Sequence, residues 1–243
     1  MITVMLLALL PAAGNIAGGV LVEVVPQAAR WRNLMLHMAI GVVVAVVALE
    51  IMPDAVDVLD RWQIAAAFTV GGALYVLIRA GVARLVPAGR SRMWMIYVAV
   101  AADLFGDGLM IGAGASVGTS VGVTLALGQV LADVPEGAAS VLTFRSSGVG
   151  RSRRLLISMS FAVPALAGAM VAYLALRGRP ESWQFAALVI TAGLFVVAVI
   201  EDLVEEAHEG DDETWASVWA VLDFAAILKA QSDLLRSSCS ASV

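Results

Sequence analysis

The chain has 243 residues, of which 60% are hydrophobic and 14% charged, and its mean hydropathy is +0.90. A soluble domain carries roughly 45–50% apolar and about 25% charged residues, so this composition excludes an ordinary water-soluble protein and reads as an integral membrane protein, with the lipid bilayer as its first partner. The net charge of −5 arises from segregated acids and bases with no basic, aromatic-interleaved tract to hold nucleic acid, and the single cysteine, Cys239, excludes an intrachain disulfide.

A span needs about 20 mostly apolar residues. Hydropathy divides the chain into eight expected spans, at about 3–25, 34–53, 63–86, 93–114, 119–144, 154–177, 183–206 and 214–233. Residues 1–243 then form one all-α transmembrane domain, a polytopic helix bundle without room for a soluble domain. The opening segment has the apolar character of a signal peptide but lacks a positive start, and it runs on through 18–25 as apolar sequence. It reads as a retained first helix.

Pro26 with Arg30 and Arg32 closes the first span, and the second ends in Glu50, Pro53 and Asp54. Pro87-Ala88-Gly89-Arg90 closes the third. Arg151-Ser152-Arg153-Arg154 opens the sixth and Gly178-Arg179-Pro180 closes it. Gly210-Asp211-Asp212-Glu213 separates the last two spans, and Asp223 and Lys229 interrupt the eighth. Trp31, Trp62, Trp94, Trp183 and Trp215 fall at span ends, as an interfacial belt would.

Basic residues flanking the spans set orientation. Loops 1–2, 3–4 and 5–6 hold Arg30, Arg32, Arg84, Arg90, Arg92, Arg145, Arg151, Arg153 and Arg154, against Arg61, Arg177, Arg179 and Arg236 opposite. This excess puts both termini outside the cytoplasm. Compact loops without sorting signals point to a bacterial inner (plasma) membrane.

The chemistry concentrates in the fourth and fifth spans. A charge at membrane depth costs at least about 2.5–3.5 kcal/mol on insertion scales, so an intramembrane carboxylate is a functional-site hypothesis by default. Asp103 and Asp107 stand i,i+4 on the fourth span and therefore leave one helix face, with Met110 nearby. On the fifth, Asp133 and Glu136 stand i,i+3, and Gln129 precedes Asp133 by one turn. Pro135 has no N–H for the carbonyl of Leu131, which leaves a backbone oxygen beside the acids. Carboxylates, an amide and a carbonyl make an oxygen-rich set suited to a divalent cation. A proton relay and structural pairing with basic side chains are the alternatives. The interior bases on this reading are only Arg79 and Lys229, too few to neutralise four acids.

Asp133-Val134-Pro135-Glu136-Gly137 resembles the fifth-helix signature of the ZIP (Zrt/Irt-like) metal transporters. Asp103-Leu104-Phe105-Gly106-Asp107-Gly108 falls where that family carries His-Asn-x-Pro-Glu-Gly on its fourth helix. Glu201-Asp202-Leu203-Val204-Glu205-Glu206-Ala207-His208 resembles the polar end of its seventh, and Leu49-Glu50-Ile51-Met52-Pro53 the Pro-containing end of its second. The resemblance implies eight spans with broken helices four and five lining a path. It also implies a metal held by Asp103, Asp107, Asp133 and Glu136, with Glu136 central.

This chain departs from the family at Leu104, in place of asparagine, at Gly106, in place of proline, and at Val163, where some members carry glutamate. The losses favour a single cation, and the missing histidine favours oxygen-seeking ions such as manganese alongside zinc.

Glu50, Asp54, Glu201, Asp202, Glu205 and His208 are expected along a cytoplasmic stretch of the path. His37 reads as structural, and Asn15 as an interhelical hydrogen bond. The expected function is transport of a divalent metal cation, zinc or manganese, into the cytoplasm. The metal is substrate, no organic cofactor is implied, and no nucleophile–base pair suggests an enzyme. A proton-conducting protein, or a transport-dead metal sensor of the same fold, is the alternative. Small-residue faces such as 112–118 would permit a homodimer.

Overall fold

A computed structural model describes residues 1–25, 32–85 and 92–203, together with Val218, Val221, Leu222 and Ala225. Every regular element among them is a helix. Among the described residues up to 203, nine α-helices follow one another as α1 (Ile2–Val24), α2 (Arg32–Ala45), α3 (Met52–Val58), α4 (Arg61–Leu85), α5 (Arg92–Val117), α6 (Thr119–Ser146), α7 (Arg151–Ser160), α8 (Ala162–Leu176) and α9 (Glu181–Ala198). A π-helical stretch, Val46–Ile51, joins α2 to α3, and a second, Val199–Leu203, extends α9.

Five of the described helical runs are long and apolar enough to cross a membrane: Ile2–Val24, Arg61–Gly81, Tyr97–Val117, Arg151–Leu176 and Glu181–Glu201. They coincide with the first, third, fourth, sixth and seventh expected spans. The second expected span is a continuous run through α2, the π stretch and α3. The fifth is α6, whose 28 residues are long enough but less apolar because Gln129, Asp133, Pro135 and Glu136 lie within it. The expected eighth span lies outside the described residues, apart from the four single positions.

The expectation of broken helices four and five is not met. The helix α5 is uninterrupted from Arg92 to Val117, and α6 runs through Pro135 to Ser146. One proline removes one hydrogen bond from a helix that keeps all its others, and buried packing holds the rest in register. The irregularities fall elsewhere: in the π stretches of the second and seventh spans, and at Phe161 between α7 and α8, three residues before Pro164.

Glycine sets how the helices pair. A methyl on Gly18 would overlap the carbonyl of Val134, and one on Gly137 the carbonyl of Asn15, so α1 and α6 meet backbone to backbone. The same contact joins α5 to α8 at Gly108, Gly112 and Gly168, and α4 to α9 at Gly71 and Gly193. Without a hydrophobic drive between helices in lipid, such close approach supplies the dispersion energy of association. All three pairs run parallel: Gly14 meets Val130 and Gly18 meets Val134, for example. By contrast, α2 runs antiparallel to α6, with Val46 against Gly128 and Glu50 hydrogen-bonded to Thr124.

A large apolar core gathers Ile51, Met110, Ile111, Leu125, Leu188 and Val189, which joins α9 to α5, α6 and the second span. Outward-facing residues such as Leu6, Leu77, Leu156 and Val163 are exposed, as lipid-facing side chains would be.

Candidate metal centre

The site lies where α5 crosses the middle of α6. Leu104, Asp107, Met110 and Ile111 line the buried face of α5, so its helical period turns Asp107 inward with the apolar residues around it. Asp103, one turn earlier, is partly buried on the same face. Opposite them, Asp133 is 2% exposed and Asp107 1%. Each of Asp103, Asp107 and Asp133 offers one carboxylate oxygen, and the three atoms lie within 4.8 Å of one another.

The carboxyl groups of Asp107 and Asp133 are in hydrogen-bonding contact. Two ionised carboxylates so placed repel, and a proton or a cation between them relieves that, because neither ionised group has a hydrogen to donate. The second oxygen, Oδ2, of each has no hydrogen-bond partner among the described residues. Such buried acceptors are costly unless something fills their coordination.

Packing behind the cluster comes from α1. A methyl at Gly14 would stand 3.2 Å from Cβ of Asp133, so the α1 backbone forms the wall against which Asp133 is held. Glycine at 14 is what allows that wall to approach.

The expected ligands divide into two groups. Asp103, Asp107 and Asp133 come together. Glu136 is half-buried and reaches the carboxyl of Asp133 from the next turn, at the edge of the triad. Gln129 is buried but faces α5 one turn away, where its Nε2 donates to Sδ of Met110 at 3.6 Å. Its Nε2 is engaged there, one turn from the triad, and Oε1 is the atom that a cation would take.

Nearby bases are also engaged. Arg79 pairs with Glu201 at 2.7 Å, the two side chains 48% and 53% exposed. The structure adds a buried base that the sequence reading did not count as interior. Arg154 at the start of α7 forms an ion pair with Glu23 at the end of α1, and its Nη1 donates to the carbonyl of Val149. Arg151 stands 3.7 Å from the same Glu23. Neither Arg79 nor Arg154 is left to serve the triad alone.

The expected cytoplasmic stretch separates into two ends. Glu50 bonds Thr124 in the second turn of α6, and Asp54 is exposed beyond it. Arg145, in the last turn of α6, is 21 residues on, about 32 Å along the helix. If the basic loop 145–154 faces the cytoplasm, Glu50 and Asp54 sit at the outer mouth, because α2 runs antiparallel to α6 and carries its far end there. Glu201 and Asp202 occupy the π stretch at the opposite end, and Glu205 and His208 lie outside the described residues. His37 is buried, but the helical period places it on the α2 face of Val44, away from Val42 and Val46, which meet α6.

Asn15 departs from its expected role. It is fully buried, and both its Nδ2 and Oδ1 lack a hydrogen-bond partner among the described residues. Ser158, buried on α7, has the same unpartnered state. Neither residue carried a sequence signal beyond being polar in an apolar span.

No protein-family model matches this chain, and no curated protein matches it.

Proposed function

We propose that the protein carries a divalent metal cation across the membrane, with the ion held midway by Asp103, Asp107 and Asp133. The observation that carries this reading is the convergence of three carboxylate oxygens from two helices within 4.8 Å, two of them on buried residues. Oxygen donors without histidine or cysteine suit hard or borderline divalent ions, and manganese and zinc are the substrates of choice. Glu136 stands where a ligand could enter or leave the triad by a change of rotamer.

The motif Asp133-Val134-Pro135-Glu136-Gly137 and the placement of Asp103 and Asp107 opposite it support a divergent ZIP-like transporter. The order of the first seven expected spans suits the packing. The first and fifth, third and seventh, and fourth and sixth spans pair in parallel, as spans of equal parity must, while the second opposes the fifth. On this topology Glu50 and Asp54 meet the ion outside, and the Glu201 end receives it in the cytoplasm.

Uptake into proteoliposomes tests the proposal. Wild-type protein should accumulate manganese or zinc saturably, and Asp133→Asn should abolish that flux. Absence of saturable flux of both ions through folded, correctly inserted wild-type protein would overturn it. The contact between the Asp107 and Asp133 carboxyls favours one second reading, a proton conductor in which the pair shares a proton. That reading expects proton flux without metal flux.

A further inference from the structure

Among the described residues, the buried polar groups without partners, Asp107 of α5 aside, lie in sequence along one seam. On α1, Gly14 abuts Asp133, Asn15 follows with its carbonyl against Gly137, Gly19 abuts Val141, and Glu23 closes the helix on Arg154. A methyl at Gly19 would stand 3.6 Å from Oγ of Ser158, which places Ser158 beside the third of these levels. Residues 15, 19 and 23 of α1, 133, 137 and 141 of α6, and 154 and 158 of α7 are each four apart. The polar groups therefore step from the acid triad to Asn15, to Ser158, and to the Glu23–Arg154 pair at intervals of about 6 Å.

Asn15 occupies the middle of the buried arc of α1. Gly14 and Gly18 on one side of it face α6, while on the other Gly19 meets both α6 and Ser158 of α7, and Ala8 packs against α8. Its amide is thus directed into the three-helix seam rather than to lipid. In a membrane no bulk solvent relieves an unsatisfied amide or hydroxyl, and each such group costs several kcal/mol. Four atoms of this kind, Nδ2 and Oδ1 of Asn15, Oγ of Ser158 and Oδ2 of Asp133, follow one another between the triad and the ion pair. Nothing among the described residues satisfies them. A bound water typically makes about three hydrogen bonds to otherwise unsatisfied buried groups. One helical turn between successive polar levels, about 6 Å along the axis, is a step that bridging waters can link.

We propose that the α1–α6–α7 seam binds a file of ordered waters that connects the acid triad to the Glu23–Arg154 end of the bundle. Asn15 and Ser158 are its internal anchors, and Arg151, exposed beside Glu23, marks its opening. Through this file the triad exchanges water by a route separate from the α5–α6 face where the ion would sit. The inference stands on the placement of the orphaned groups and does not depend on which ion the triad holds.

Hydroxyl-radical footprinting with a millisecond X-ray pulse, on the full chain in nanodiscs without added metal, tests it. Val22 and Val141 are buried beside the seam, and Leu188 and Val189 are equally buried in the apolar core, away from it. Radicals formed from bound water should label Val22 and Val141 several-fold faster than Leu188 and Val189. The double variant Asn15→Leu with Ser158→Ala should bring the two pairs to the same slow rate. Ser158→Ala alone, a smaller change, should lower labelling at Val141 should the double variant not fold. Equal slow labelling of both pairs in wild type, or fast labelling that survives removal of the anchors, would overturn the proposal. Because the readout is taken without metal, its failure is separate from any failure of metal uptake.

Discussion

Asp133→Asn isolates the electrostatics of the triad. The amide keeps the size and planarity of the carboxylate and removes its charge. With ligand oxygens no more than 4.8 Å apart, two ionised carboxylates repel by about 3.5 kcal/mol at an effective dielectric constant of roughly 20. Full ionisation of Asp103, Asp107 and Asp133 would set three such repulsions, of which the substitution removes two. With one proton shared between Asp107 and Asp133, a single repulsion with Asp103 remains, and the substitution relieves it when Asp107 keeps the proton. Relief of one pair, about 3.5 kcal/mol, corresponds to roughly 7–14 °C for a chain of this length.

Tryptophan-fluorescence melting in detergent with a chelator measures that difference, and the same melts with manganese or zinc measure occupancy. Asp133→Asn should melt above wild type in chelator and lose most of the metal-dependent rise that wild type shows. A variant that melts at or below wild type in chelator would refute the charge-repulsion argument. One that retains the full metal-dependent rise would refute the assignment of Asp133 as a ligand.

Gly137→Ala forces a methyl into the carbonyl of Asn15 and should cost about 1–3 kcal/mol, whereas Gly81→Ala, whose methyl meets nothing within 4 Å, should be neutral or gain up to about 1 kcal/mol; paired thermal melts decide. Arg154→Met strands the buried Glu23 and should cost about 3–5 kcal/mol, most of it recovered in the double variant with Glu23→Leu. Failure of the second change to rescue would mean that Arg154 acts through its bond to Val149 instead. Arg79→Gln breaks a half-exposed pair and should cost at most about 1 kcal/mol, with metal uptake unchanged. Loss of uptake in that variant would give Glu201 a role in the path.

Much of the cluster was legible because helical period is local. The i,i+4 spacing of Asp103 and Asp107 puts both on one face of α5 whatever surrounds the helix, and apolar runs of span length mark the same segments that fold as helices. Pro135 misled, since a residue that ends many helices is carried through α6 by packing on both sides. Gln129 shows what spacing leaves open. One turn from Asp133, it shares a buried face with it, yet the crossing of α5 brings Met110 to that level and not an aspartate.

The chain by itself determined the helices, the inward faces of the acids and the charged loops at the span ends, because each depends on residues within a turn or two of one another. Only the tertiary structure decided that Asp133 joins Asp103 and Asp107 while Glu136 stays at the edge. It also decided that Glu50 lies at the end of α6 opposite the basic loop, and that Glu23 meets Arg154 across 131 positions of sequence. Those outcomes depend on how far one helix is rotated and shifted against the next. That rotation is set where bare glycine backbones at Gly14, Gly18 and Gly137 let α1 and α6 close on each other, a contact between segments more than a hundred residues apart.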